Sequence, residues 1–444
     1  MRFTNRHYKM KIHKSVFLIF FIRFSFFTSF AQILPTPIGT KSAPENSEVS
    51  IRLVKRFQNN NSFPVNIEDI HDTTINSPKS VNILESRNKF YIHSLEGCLT
   101  SVYNLSDLKL IKTIHHQFTV DNQFLFHENT YFDYKFITKK NEVNIFKGKP
   151  VESCFSHNGK YLWVTYYRRS YDEKAVDPSA VCIIDTEADT IVRVMPTAPL
   201  PKMISCSPDN QTIAVTHWGD NSVGLIDISS ESPDSFFYKK DIVIDYRMPL
   251  NFSLDKTVNR DQNCGHCLRG TVFTPDSKYI LIGKMGSNSI AVVDAVEKKY
   301  IGSVSGMKKN MRHLLISNDD IYISINSSGF VQKAPLNDFV TYFSGKSVKK
   351  TYQDWKNVYV GKGARTIVVN PTGEFLFAAV NNMSKIAIVR TKDMKLIAEC
   401  KADSYPVGMD ISDDGSHLIV TAQGKSDGGG NSVTIYKVNY QSIN

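Results

Sequence analysis

The chain has 444 residues, 41% apolar and 22% charged, a balance that suits a folded globular protein and excludes a disordered or fibrous one. Its net charge of +10 overstates the basicity of the folded part. Arg2, Arg6, Lys9, Lys11, Lys14 and Arg23 all precede residue 32 with no acid among them, leaving only +4 for the rest. So weak a surplus does not argue for a nucleic-acid partner.

Residues 1–31 combine that basic start with an apolar run, SVFLIFF (15–21) continuing to Phe30, and with Ser29-Phe30-Ala31 ahead of Gln32. Small residues at −3 and −1 before a polar residue predict a secretory signal peptide cleaved after Ala31. The competing reading, an N-terminal membrane anchor, has to accommodate Arg23, which leaves the run short of the ~20 residues a span needs. No Cys follows the cleavage site, which argues against a bacterial lipoprotein anchor, and no later stretch is apolar enough to cross a membrane. The expected location is outside the cytoplasm: periplasmic, cell-surface or secreted. Residues 32–47 read as a linker and 48–440 as one folded domain.

Within that domain a unit recurs seven times: a strand, a tight polar turn, a second strand, then a third. Clear copies are KMISCSPDNQTIAVTH (202–217) with NSVGLID (221–227), and RGTVFTPDSKYILIGK (269–284) with NSIAVVD (288–294). The first strands open at Lys79, Val151, Lys202, Arg269, Arg312, Arg365 and Val407. The turns SHNG (156–159), SPDN (207–210), TPDS (274–277), NPTG (370–373) and SDDG (412–415) carry residues that preset φ, bond their own backbone or accept positive φ. ESRN (85–88) and SNDD (317–320) are degenerate versions. Second strands such as KYLWVTY (160–166) and EFLFAAV (374–380) are too continuously apolar for a sheet with one wet face. A period of 40–50 residues with these features predicts an all-β fold, a seven-bladed β-propeller of four-stranded antiparallel blades. TIVRVMP (190–196), KYIGSVS (299–305) and LIAECKA (396–402) read as outer strands. The seventh unit stops six residues after VTIYKV (433–438), while EVSIRLVKRF (48–57) has no unit of its own. The N-terminal segment is therefore expected to supply the missing outer strand and close the ring, because an open ring leaves unpaired edges.

The SPDN-type turn, the Val/Ile-rich second strand and the Asn-Ser-Val-x-φ-Ile-Asp third strand resemble the YVTN/YncE-like seven-bladed propeller repeat family of surface-layer and periplasmic proteins. The likeness covers roughly 76–440 and departs in the fifth unit, which lacks the turn Pro and Gly. It implies blades rather than a catalytic signature. The family is related in fold to lactonase propellers and to d1-haem domains.

Extra length falls at 115–149, Tyr167–Ser179, Tyr238–Gly265, Phe343–Lys362 and 423–431, connections that share one face of a propeller and so mark either a binding face or neutral loop growth. Five of the seven opening positions on that face are basic: Lys79, Lys202, Arg269, Arg312 and Arg365. Either they form a cationic mouth for an anionic small molecule, glycan or protein partner, or each pairs with an acid of the next blade. His217 and Trp218, ending the second strand of the third unit, are further ligand-binding candidates, Trp218 by stacking. Cys264-Gly265-His266-Cys267 matches an oxidoreductase tetrad but lacks the surrounding βαβ unit, so a local Cys264–Cys267 disulfide is expected. A metal site from these cysteines with His266, His217 or His313 is the other reading of that motif. Cys154 and Cys206, at one position in two units, read as buried core residues. No catalytic residue and no cofactor is identified, so the chain reads as an exported binding or interaction module. A lactonase-like hydrolase acting on an anionic substrate, and a metal- or redox-handling partner protein, are the alternatives.

Overall fold

The computed structural model describes residues 35–127, 144–170, 178–249, 259–343, 348–425 and 430–441. The expected signal peptide lies outside the described residues, as do parts of all five long loops. Seven sheets follow one another along the chain, each beginning with its innermost strand, and they form a seven-bladed β-propeller. The inner strands are Pro78–Leu84, Phe146–Ser156, Pro201–Cys206, Leu268–Phe273, Met311–Ser317, Ala364–Val369 and Pro406–Ile411.

The unbroken apolar character of the second strands has a direct cause. Seven hydrophobic clusters lie one between each pair of neighbouring blades, so a middle strand feeds a different cluster from each face. In blade six every residue of Phe375–Val380 is buried. Trp163 in blade two is fully buried against Phe236 of blade three, with ring centroids 5.5 Å apart.

The polar turns behave as their chemistry requires. Asn210, Ser277, Gly373 and Gly415 hold φ between 57° and 78° at the ends of their hairpins. The fifth unit replaces this four-residue turn by Asn318-Asp319, with φ of 45° and 59°, between the paired Ser317 and Asp320. Two positive-φ residues between paired strands match the twist of a tight hairpin, which is why this unit needs neither Pro nor Gly.

The N-terminal strand Val49–Gln58 pairs antiparallel with Ser432–Tyr440, from Val49 opposite Tyr440 to Gln58 opposite Ser432, and completes blade seven. Phe57 and Ile75 join Ile419, Val433 and residues of blade one in the last inter-blade cluster. The stretch ahead of this strand, expected as a linker, lies on the propeller in its described part. Ser42 donates its backbone N–H to Ile51, Ala43 forms a bridge with Glu399, and Thr36 is buried against Asp403. Three sheets carry a fifth strand beyond the expected four: Gln117–Phe118, Asp69–His71 and Val348–Thr351, the last two running parallel to their neighbours. A helix, Leu336–Phe343, precedes the outer strand Lys356–Tyr359 of blade five and packs Phe339 and Phe343 into the adjoining cluster. Among the described residues no helix is long and apolar enough to cross a membrane.

Candidate functional site

One irregularity recurs in all seven inner strands: the register with the second strand shifts just past the strand start. The shifts fall at Pro78/Val81, Pro150/Ser153, Pro201/Met203, Arg269/Thr271, Met311/His313, Ala364/Ile367 and Pro406/Gly408. A bulge leaves a residue out of the ladder and re-aims its side chain. Lys79, Lys202, Arg312 and Arg365 occupy these bulges, and Arg269 borders its own beside Gly270, whose φ is +35°. A Cβ at Gly270 would stand 2.6 Å from Leu314 Cδ1, so this bulge can form only with glycine.

Arg269, Arg312 and Arg365 line a cavity of about 280 Å³ on the propeller axis, together with Glu152, His313 and Asp410. Glu152 follows Val151, the position that matches the cations of the other units: both residues are left out of the ladder between Pro150 and Ser153, and it is the carboxylate that lines the cavity. In blade seven the corresponding place is taken by Val407 and Gly408. Val407 is the residue left out of the ladder, and a Cβ at Gly408 beside it would meet Lys79 O at 2.3 Å.

Among the described residues, four of the five cations make no ion pair. Arg269 and Arg365 are 4% and 6% exposed, and among the described residues their buried Nε atoms find no hydrogen-bond partner. Arg312 Nε donates to Asn310 Oδ1 at 3.2 Å, and Tyr405 lies beside Arg365. Lys79 Nζ donates to Gln423 Oε1 at 3.5 Å. Burial holds Lys79 well below the usual lysine range, and the positive charges of Arg365, Arg269 and Lys202 push it further down, against Glu152. Burial raises Glu152 above the ordinary carboxylate range while the same cations pull it back. Arg269 is lowered by burial and then by Arg365 and Arg312.

Lys202 differs from the other four. Its Nζ stands 4.0 Å from the Tyr167 ring centroid and 4.4 Å from that of Trp218, and 3.5 Å from Asp261 Oδ1. Trp218 is 4% exposed, donates Nε1–H to Asp261 O, and packs with Leu200 and Cys264. The structure therefore brings two of the long connections, at Tyr167 and at Asp261, onto the rim of the channel. Trp218 holds Lys202 and the 259–267 loop.

Cys264 and Cys267 form a disulfide at the end of that loop. His266 bonds Asp245 at 2.9 Å and Ser287 at 2.6 Å. His217 is fully buried, with Nδ1 2.9 Å from Ser222 Oγ, and burial lowers its pKa to about 4. His313 lies in the channel, where burial and then Arg269 bring it to about 4. The residues of the metal reading are thus dispersed, and among the described residues no three His, Cys, Asp or Glu gather to hold a metal ion.

A polar chain that no motif announces leads outward from the channel between blades one and two. Ser153 Oγ donates to Asn82 Oδ1 in the channel wall. His93 Nε2 meets Ser153 Oγ at 2.7 Å and His93 Nδ1 meets Thr100 Oγ1 at 2.8 Å. Thr100 Oγ1 meets His116 Nε2 at 2.7 Å, and His116 Nδ1 meets Tyr166 OH at 2.8 Å. Burial lowers His93 to about 3 and His116 well below its ordinary value, so both rings are neutral. With an acceptor at the channel end, every hydroxyl and ring N–H along the chain donates toward the channel.

A larger cleft of about 740 Å³ lies among the hairpin turns of blades five to seven, between Tyr322, Phe375 and Tyr440. Of the two cations that line it, Arg390 and Lys392, Arg390 is bound to Glu48 and Asp393.

No family model matches the chain, and no curated protein matches it. Solved structures do. A chain of Kuenenia stuttgartiensis hydrazine synthase superposes with a TM-score of 0.56 at 12% identity, over 86% of this chain and 100% of that one. The β-propeller domain of Myceliophteria thermophila Cps50 (Swd1) superposes with a TM-score of 0.54 at 11% identity, over 82% and 97%. At such identities the likeness is one of fold alone, and the chain is a seven-bladed β-propeller.

Proposed function

We propose that this protein is an exported binding module whose ligand is anionic and sits in the mouth of the central channel. The observation that carries the reading is the ring itself: five cationic side chains of five blades converge with Glu152, and two arginines keep buried Nε–H donors with no partner among the described residues. Buried like charges cost stability unless something opposes them, and an anion on the axis would oppose all of them at once. Export is supported by the basic-apolar start of the chain and by the Cys264–Cys267 disulfide, a bond that persists outside reducing compartments. Membership of the YVTN/YncE-like group belongs to the same reading, carried by the turn and third-strand motifs.

The test is a melting-temperature series in citrate, sulfate and chloride at matched ionic strength. A multivalent anion should stabilise the wild type more than chloride does, and Arg269→Gln with Arg312→Gln should abolish the difference. Equal melting temperatures in all three salts would sink the reading. Export is tested separately by N-terminal sequencing of the mature protein, expected to begin at Gln32.

A further inference from the structure

The channel ring is not uniform, and its two sides suit different parts of a ligand. Arg269, Arg312 and Arg365 come from three consecutive blades and all line the cavity. Across the axis the wall is formed by blade one, with Ser80 and Asn82, and by Glu152 and Ser153 of blade two. Lys79 and Lys202 belong to this second side, Lys202 drawn aside by Tyr167, Trp218 and Asp261. A volume of about 280 Å³ is at the lower end of small-molecule sites, so the occupant is compact.

Guanidinium groups bond oxyanions through paired N–H donors, and three of them on one wall match one doubly charged head better than scattered single charges. Resting on the anionic-ligand reading above, we infer that the channel binds a compact dianionic oxyanion, a sulfate-, phosphate- or short dicarboxylate-type group held by Arg269, Arg312 and Arg365, and that the protein takes up a proton on the Lys79–Glu152 side when it binds.

The second half follows from charges that share one buried space. Lys79 feels Glu152 from blade two, Lys202 from blade three, Arg269 from blade four and Arg365 from blade six; Arg312 of blade five acts on Arg269 and Lys202, and Tyr405 lies beside Arg365. Asp410 of blade seven and His313 lie deeper, and Asp261 stands at the rim beside Lys202. The cations depress Lys79 and restrain the upward shift of Glu152. A dianion offsets those cations, so Lys79 rises toward its ordinary value and Glu152 rises further. Both changes have the same sign: each favours the protonated form in the complex. Affinity must then fall as pH rises.

The experiment is titration calorimetry of the full mature protein with sulfate, succinate and acetate, in two buffers of different ionisation enthalpy, at pH 6.5 and 8.5. Sulfate or succinate should bind at least tenfold more tightly than acetate, and the winner distinguishes a tetrahedral head from a dicarboxylate. The observed enthalpy should change with buffer in the sense of proton uptake, and affinity should drop severalfold at the higher pH. Glu152→Gln should fold, bind the dianion and show a smaller buffer dependence. Acetate binding as tightly as the dianions overturns the ligand class. Dianion binding with no buffer dependence overturns the proton linkage, and both of those results leave an anion site standing. If no anion binds, the functional reading itself fails together with this one.

Discussion

Arg56 of the N-terminal strand and Asp403, between blades six and seven, meet at 2.8 Å with side chains 3% and 1% exposed. Asp403 also accepts from Thr36 N and from Ser432 Oγ of blade seven, and Arg56 reaches Asp69 at 3.0 Å. The ring is therefore closed by a buried, fully bonded ion pair as well as by strand pairing. Removing one partner leaves the other charge buried, so Asp403→Ala should destabilise by about 3–5 kcal/mol. Deleting residues 48–57 should lower the melting temperature further still. Urea titration of both variants checks the order, and a wild-type midpoint for either one contradicts it.

Gly408 packs against the backbone of blade one. Its missing Cβ would lie 2.3 Å from Lys79 O and 2.7 Å from Thr421 Oγ1, both in the packed junction of blades seven and one. Gly408→Ala should cost at least about 1–3 kcal/mol by overpacking. Gly39, where a Cβ would come no closer than 4.0 Å to Arg52, is the comparison site for space, although its φ of +91° carries its own strain.

Buried neutral histidines set the acid limb of stability. His93, His217 and His313 have folded pKa values of about 3, 4 and 4, below the ordinary value of 6.5, chiefly through burial. Their contribution is complete above pH 6.5 and is lost as pH falls toward 4, where the unfolded chain takes up the protons. Asp410 opposes them: burial raises it to about 7, so its contribution is complete below the unfolded carboxylate range and fades as pH rises to 7. Asp220, raised by burial to about 6, acts in the same sense as Asp410. Three histidines outweigh these two aspartates, so net stability should fall between pH 6.5 and 4, and His93→Gln should shed part of that slope, at most about 3 kcal/mol across that window. Denaturation midpoints at half-unit pH steps are the measurement.

The disulfide closes a very short loop, for which chain entropy predicts about 2 kcal/mol. Unfolded, unreduced protein should titrate five thiols, those of Cys98, Cys154, Cys182, Cys206 and Cys400, and reduced protein seven. Reduction should also perturb Trp218 fluorescence, since Cys264 packs against that ring. Seven thiols without reductant would exclude the bond.

Much of the architecture was legible because it is local and repeated. The turns from SHNG to SDDG, the apolar second strands and the incomplete seventh unit are matters of spacing, backbone preference and periodicity, and these act within a few residues. The outer strand from 48–57 followed from counting, since a ring with one missing edge has only one free segment to fill it. The cationic ring positions were legible for the same reason: a residue repeated in register must repeat in space.

Other features depend on which chains meet. Glu152 escaped because two residues, Val151 and Glu152, are left out of the ladder at this bulge; the repeat position falls on the first, and only the folded channel shows that the second lines it. Trp218 read as a possible ligand platform, and only the approach of Asp261 and Lys202 from other loops makes it part of a clamp. The chain from Tyr166 to Asn82 draws its members from five strands of two blades and from His116 between strands, with no common spacing. The sequence by itself thus determined the fold, the number of blades, the closing strand and the basic positions, because these rest on local propensity and repetition. Only the tertiary structure decided which charges share one buried space, which of them are already partnered and which way the hydrogen bonds run, because those depend on distances of a few ångströms between residues far apart in the chain.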